Sequence, residues 1–304
     1  MNDFIYGIIP FISFFFLGML FKHFKIFTKE TGIMLLRMVF YLFMPAMVFS
    51  EVITQSSINI QMIILQLTPL IPIAVSFGLV TLFLKYFPQP KPIAGIIYCA
   101  TMIKSTPFIL PFVRVEYGLE AFNQAIFYDS ANLFFIFTII YVIAVKHGVN
   151  TNMPKRSLIK KVLTVPTLWA FVIGLILVSF DLTMYVPIKL KGFLDIAKEP
   201  YLPMVYLSLG LIFSPSKDKL PTAFLVVGMR MIVGFFIGLI ITQFLPLEPI
   251  QKKIIIIGCT APCGFTTMVF AALEKLDETF GATVCSISTF IGIFLLPLVI
   301  WFLG

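Results

Sequence analysis

Lys104 lies midway along the apolar stretch 93–114 and is followed directly by Ser105, Thr106 and Pro107. A lysine at that depth of a bilayer cannot easily snorkel to an interface. A charge there costs at least about 2.5 kcal/mol, so it must face protein or water. Three parts fit it: an ammonium that binds an anion, a fixed cation paired with a carboxylate in place of a sodium ion, or a lysine with no functional part. Asp129 is the natural partner, as the only acid deep within an apolar stretch (121–145), and Asn132, three residues on, shares its helical face. A buried carboxylate beside an ammonium is under opposing influences, and one held near that balance can load and release a proton. The alternative for Asp129 is a structural partner to Lys104 or Arg230. Arg37, in the second apolar stretch, either pairs an anion or snorkels.

A second cluster, "GCTAPCGFTT" (Gly258 to Thr267), interrupts another membrane-length stretch with Thr260, Pro262, Thr266 and Thr267. An unbroken helix satisfies every backbone group in lipid, so a break survives only where protein buries it or a wet cavity adjoins it. Half-helices starting near Pro107 and Pro262 would aim free N–H groups and positive dipole ends at the midplane. Proline suits that place because its missing N–H is one of the unpaired donors. The hydroxyls of Ser105, Thr106, Thr260, Thr266 and Thr267 either hydrogen-bond a substrate or satisfy helix carbonyls. Paired breaks in two halves of a chain point to the binding site of a secondary transporter.

These breaks need a membrane around them, and the composition supplies one. The chain is 60% hydrophobic and only 12% charged, with a mean hydropathy of +1.04. Soluble domains carry roughly a quarter charged residues. At about 20 residues per span, the 304 residues allow about ten spans and no separate soluble domain. No GxxxxGK[ST] loop is present, which speaks against ATP-driven pumping by this chain alone. Cys99, Cys259, Cys263 and Cys285 all fall in apolar stretches and read as packing residues; Cys259 and Cys263, four apart, would share a helix face. No histidine or further cysteine is near enough to complete a metal site, and nothing suggests a haem or other cofactor. The net charge of +8 therefore points to membrane topology and not to nucleic acid.

The apolar stretches are 4–21, 30–51, 62–84, 93–114, 121–145, 164–183, 200–215, 220–244, 251–273 and 279–303. The start "MNDF" has an acid and no basic run, unlike a secretory signal. With the N-terminus outside, thirteen basic residues fall on inner loops and six on outer ones, while Arg37, Lys104 and Arg230 lie within spans. That bias puts both termini outside and the loop 146–162 in the cytoplasm, where it links the halves and can meet anionic lipid. Pro10 and Pro166, Pro45 and Pro203, and Pro107 and Pro262 recur 156, 158 and 155 residues apart. This suggests a duplication, 1–150 and 151–304, and five spans per copy would force the second to be inverted.

The opening "IIPFISFFFLGMLFKHFKIFTKETGIMLLRMVFYLFMPAMVFSEV", with Pro10, Gly18 and Pro45-Ala46, resembles the start of the auxin efflux carrier family. "LPFVRVEYGLEA", through Pro111, Gly118 and Ala121, resembles the segment that follows its fourth-span crossover. The C-terminal "TAPCGFTTMVFAALEKLDETFGATVCSISTFIGIFLLPLVIW" resembles its ninth and tenth spans, with Ala261-Pro262, Ala271, Asp277 and Ser288-Thr289. The likeness runs along nearly the whole chain, and the family is similar to PIN carriers and bile-acid/sodium symporters. It implies an all-α membrane protein of ten transmembrane helices in two inverted five-helix repeats, with broken, crossing helices 4 and 9. Helices 1, 2, 6 and 7 would form a scaffold, often a homodimer, and helices 3–5 and 8–10 a moving transport domain. The chain departs from the family at two places: Lys104 and Thr266 stand where many members carry crossover asparagines.

The expectation is a secondary transporter of a small organic anion, a carboxylate, across the cell membrane by alternating access at the crossover. The substrate and ion site would comprise Lys104, Ser105, Thr106, Pro107, Asp129, Asn132, Thr260, Pro262, Thr266 and Thr267. Coupling to a proton or to sodium stays open. A non-transporting receptor or a channel on the same scaffold is the alternative. A membrane-embedded enzyme finds no GxGD, HExxH, DDxxD or GxSG pattern to support it, and no catalytic residues are assigned.

Overall fold

The computed structural model describes residues 2–54, 60–148, 160 and 163–304. These residues are nearly all helical. The one β pairing among them is a single antiparallel bridge between Lys104 and Cys263. Five helical stretches are long and apolar enough to cross a membrane: Lys29–Ile53, Ile60–Tyr86, Thr106–His147, Lys217–Phe244 and Glu278–Leu303. The protein is a multi-pass membrane protein.

In chain order, α1 is Asn2–His23, and α2 (Lys29–Met38) runs through a π-helical turn, Val39–Phe43, into α3 (Met44–Ile53). α2 starts where Thr28 and Thr31 cap each other's backbone amides, a reciprocal capping box. α4 (Ile60–Leu67) and α5 (Leu70–Tyr86) follow, then α6 (Lys91–Met102). α7 spans Thr106–Phe135 and continues through a second π-helical turn, Ile136–Ile140, into α8 (Tyr141–His147). The later elements are α9 (Pro166–Ser179), α10 (Ile188–Lys198), α11 (Tyr201–Ile212), α12 (Leu220–Phe244), α13 (Pro249–Thr260), α14 (Thr266–Glu274) and α15 (Glu278–Leu303). Glu248 and Gln251 cap α13 as Thr28 and Thr31 cap α2, and the Asp277 carboxylate accepts the Phe280 amide at 2.8 Å to start α15.

Packing divides the helices into two groups. α1, α2–α3, α9 and α10–α11 contact one another, and α5, α6, α8 and α12–α15 form a second set, while α7 touches both. The tightest seam of the first group is α1 on α11. There a Cβ on Gly18 would lie 2.3 Å from the Leu207 carbonyl oxygen, and one on Gly210 would lie 2.0 Å from that of Phe15. Lipid tails are as apolar as leucine, so helices in a bilayer gain by close backbone approach at small residues.

Three sequence expectations need correction. A helix precedes the seventh apolar stretch, whose own helix is α11 from Tyr201: Lys189, Lys191 and Lys198, counted as an outer loop, lie on α10. Its polar residues made α10 read as a connector, yet Lys198 pairs with Glu51 of α3 at 3.2 Å and with Asp195 at 3.0 Å. The loop expected between 93–114 and 121–145 is one residue, Gly118 (φ 85, ψ −173), which turns the chain between helical stretches 106–117 and 119–135. Cys259 and Cys263 do not share a helix face, because α13 ends at Thr260 and Cys263 is in extended backbone. Most of the loop 146–162 lies outside the described residues.

Candidate functional site

Two helices stop short of crossing. α6 ends at Met102 and α7 starts at Thr106; α13 ends at Thr260 and α14 starts at Thr266. The segments between are extended and pair with each other. The Ser105 amide donates to the Pro262 carbonyl at 2.9 Å, and the Gly264 amide donates to that of Ile103 at 2.8 Å. Each break thus meets the backbone requirements of the other, the condition for non-helical backbone at membrane depth. The Cys263 amide is taken by the Ser288 hydroxyl of α15 at 3.2 Å.

The two prolines play different parts. Pro107 sits in the first turn of α7, as expected, where its missing N–H is costless. Pro262 lies four residues before α14, in the extended segment, so it does not open that half-helix. In the bridge, Pro262 lies opposite Ser105, and Cys263 lies opposite Lys104.

Lys104 is 6% exposed. Its Nζ lies 3.6 Å from the centre of the Tyr128 ring and has no hydrogen-bond partner among the described residues. A cation over a desolvated aromatic face gains about 2 kcal/mol, which offsets only part of the cost of burial. Asp129, next in sequence to Tyr128, points elsewhere. Its Oδ1 accepts from the Thr106 hydroxyl at 2.5 Å and from Asn132 Nδ2 at 3.0 Å. Lys104 and Asp129 therefore share a neighbourhood without forming an ion pair.

Arg230 of α12 is 3% exposed and completes the charged set. Its two terminal nitrogens donate to the Cys259 carbonyl at 3.0 Å and the Gly258 carbonyl at 3.3 Å, at the C-terminal end of α13. A guanidinium there satisfies carbonyls that the helix leaves open and complements the negative end of its dipole. Its Nε has no partner among the described residues. A small cavity of about 10 Å³ lies between Lys104, Arg230, Asn132, Cys259, Thr101 and Ser76.

Of the remaining expected residues, Ser105 and Thr267 are buried, with hydroxyls unpartnered among the described residues. The Thr260 hydroxyl bonds back to the Ile256 carbonyl at 2.8 Å, and Thr266 is buried at the start of α14. The breaks thus gather Lys104 to Pro107 with Asp129 and Asn132 on one side, and Pro262, Thr266 and Thr267 on the other. Arg37 is exposed on α2. Tyr128 and Cys259 were missed as site residues because aromatic and thiol side chains in apolar stretches look like packing. Arg230 was visible as a charge within a span, but its distance in sequence from both breaks concealed its place.

A second cavity, of about 190 Å³, lies between Phe40, Tyr41, Phe137, Tyr141, Thr164, Phe270 and Glu274. The rings of Phe40 and Phe137, one from each π-helical turn, meet edge to face at 5.0 Å. The Tyr141 hydroxyl donates to the Glu274 carboxylate at 2.6 Å.

Residues 3–301 match the family described as membrane transport protein, the auxin efflux carrier family. The chain belongs to it. An uncharacterized transporter of Methanocaldococcus jannaschii is 23% identical over 289 residues, 93% of each chain. One of Methanothermobacter thermautotrophicus is 25% identical over 205 residues, 67% of this chain and 66% of the relative. This family member is a membrane transporter, and the paired breaks are where its backbone leaves the helical pattern.

Proposed function

We propose that the protein is a secondary carrier of a small organic anion, a carboxylate, working by alternating access where the two helix breaks meet. The observation that carries this reading is Lys104, a buried ammonium without a hydrogen-bond acceptor at the junction of two interrupted helices. A charge in that position is costly unless an ion or substrate completes it.

Ten transmembrane helices in two inverted five-helix repeats form the frame, 1–150 and 151–304. Corresponding boundaries support this: Lys29 and Ile188 open helices 159 residues apart, and Lys91 and Pro249 open helices 158 apart. Thr106 and Thr266, which start the second half-helices, are 160 apart. The offset is steadier than that of the prolines. In this reading α6–α7 and α13–α14 are the crossing helices. The group of α1, α2–α3, α9 and α10–α11 is the scaffold and homodimer surface, and the other group moves. The larger cavity, lined by residues of both groups, suits a path between site and solvent. Lys104 in place of a bound cation removes the need for sodium, and Asp129 is the candidate to carry a coupling proton.

Purified protein in liposomes should take up or exchange labelled small carboxylates down an imposed gradient. Selective thermal stabilisation by such ligands without any flux would overturn the carrier reading in favour of a receptor.

A further inference from the structure

Lys104 and Arg230 come from different elements yet border the same small cavity, and each brings an N–H donor that nothing among the described residues accepts. Two like charges buried side by side repel, and low polarity strengthens that repulsion. The nearest carboxylate, Asp129, is occupied by Thr106 and Asn132. Four helix ends meet at the breaks, two N-terminal and two C-terminal, so their dipoles cancel to first order. With Lys104 and Arg230 protonated and Asp129 ionised, the local sum is two positive charges and one negative, and one further negative charge makes the site neutral.

Asn132 adds a second demand. A carboxylate accepts and does not donate, so the Asn132 amide must turn its Nδ2 toward Asp129. Its Oδ1 is then an acceptor, 1% exposed as a residue, bordering the cavity and without a partner among the described residues. A ligand that fits therefore offers negative oxygens to two cations and a hydrogen to one amide oxygen.

We propose that Lys104 and Arg230 together hold the carboxylate of a singly charged substrate, and that Asn132 Oδ1 accepts the hydrogen of a hydroxyl beside it. The substrate class is the small hydroxy-monocarboxylates. This rests on the break region being the substrate site. The cavity's volume of about 10 Å³ suits one water-sized group. Binding thus requires its walls to part, and Pro69, Pro72 and Ser76 form a wall on an element separate from both breaks.

The test uses the full chain in proteoliposomes, with labelled glycolate against acetate, which lacks the hydroxyl, and malonate, which adds a charge. Glycolate should show a KM at least about tenfold below that of the other two, one hydrogen bond or charge being worth about that factor. Arg230→Gln should raise the glycolate KM by about tenfold or more, and Asn132→Leu should bring glycolate to the level of acetate. Arg230 also caps α13, so a second measurement avoids that variant. With Cys99, Cys263 and Cys285 changed to alanine, glycolate and not acetate should protect Cys259 from a small methanethiosulfonate. Equal transport of acetate, faster transport of malonate, an unchanged KM in Arg230→Gln, or no protection of Cys259 would overturn this inference and leave an organic-anion carrier standing. Absence of flux for every carboxylate would overturn the carrier reading as well.

Discussion

Lys104 and Cys263 form a backbone pair whose flanking hydrogen bonds, 2.9 and 2.8 Å long, run from Ser105 to Pro262 and from Gly264 to Ile103. The paired residues exchange no bond with each other. In an antiparallel ladder that places their Cα atoms about 4.5 Å apart, with side chains close. This is within the reach of a disulfide. Lys104→Cys should therefore cross-link to Cys263 under mild oxidation, detected as a linked peptide by mass spectrometry. Failure to link, with Ile103→Cys linking in its place, would show a different register.

That register was only partly legible in the sequence. Proline, glycine and small hydroxyl residues at membrane depth marked both breaks, because such residues cannot continue a helix cheaply. Proline alone could not set their alignment: Pro107 is helical and Pro262 extended, so matching them shifts the register. The start of α10 was hidden for another reason. Its lysines and Asp195 resemble a connector until Lys198 is seen against Glu51. At the site, Tyr128 and Asp129 are adjacent in sequence but face different partners, a consequence of helical geometry that composition does not reveal. Lys104 was readable as a costly charge. That Arg230 shares its cavity required the packing of α12 on α13.

Gly118 holds φ 85 and ψ −173, a combination that side chains with a Cβ strongly disfavour, although no atom lies within 4 Å of the position a Cβ would occupy. Gly118→Ala should therefore lose about 1–3 kcal/mol through backbone strain alone. Gly78 of α5 has equal room and no left-handed φ, so Gly78→Ala should be neutral or slightly stabilising. Thermal unfolding of both variants in one detergent makes the comparison.

Gly210 tests the opposite case, where space decides. A Cβ there would meet the Phe15 carbonyl oxygen at 2.0 Å, and backbone cannot swing aside as a side chain does. Gly210→Ala should separate α1 from α11 and cost on the order of 1–3 kcal/mol, with Gly210→Leu worse. An unfolding temperature lowered in Gly210→Ala and lowered further in Gly210→Leu, measured in one detergent, checks this.

Asp277 lies between α14 and α15, where its carboxylate takes the Lys219 ammonium at 2.6 Å and the Phe280 amide at 2.8 Å. Burial alone would push its proton affinity up. The Lys219 bond and the backbone amides outweigh that and hold the carboxyl below its usual range. A depressed carboxylate contributes stability above its unfolded pKa, near 4, and loses it as pH falls through the lower folded value. Wild-type protein should thus lose thermal stability as pH falls below about 4 more steeply than Asp277→Asn. Parallel curves for the two would remove Asp277 from the acid response.

Lys104 and Asp129 supply the sharpest functional test, because the structure separates them. With no ion pair between them, each single variant exposes its own contribution. If Lys104 is a fixed cation in place of sodium, wild-type flux should not depend on sodium, and Lys104→Ala should abolish flux or make it depend on an added cation. If its ammonium contacts the substrate, the same change should raise KM with no rescue by sodium. Asp129 accepts from Thr106 and Asn132, which tie the start of α7 to the helix beyond Gly118. Asp129→Asn keeps the size of the side chain and removes the titrating group, so it should flatten the dependence of flux on pH if this carboxylate carries the proton. Thr106→Val, which removes one donor and leaves the carboxylate, should shift that dependence without flattening it. Uptake measured against pH and sodium for the wild type, the single variants and the Lys104→Ala/Asp129→Asn pair distinguishes these outcomes. Flux equal to wild type in both single variants, with an unchanged pH profile, would leave the two residues structural and move the site elsewhere.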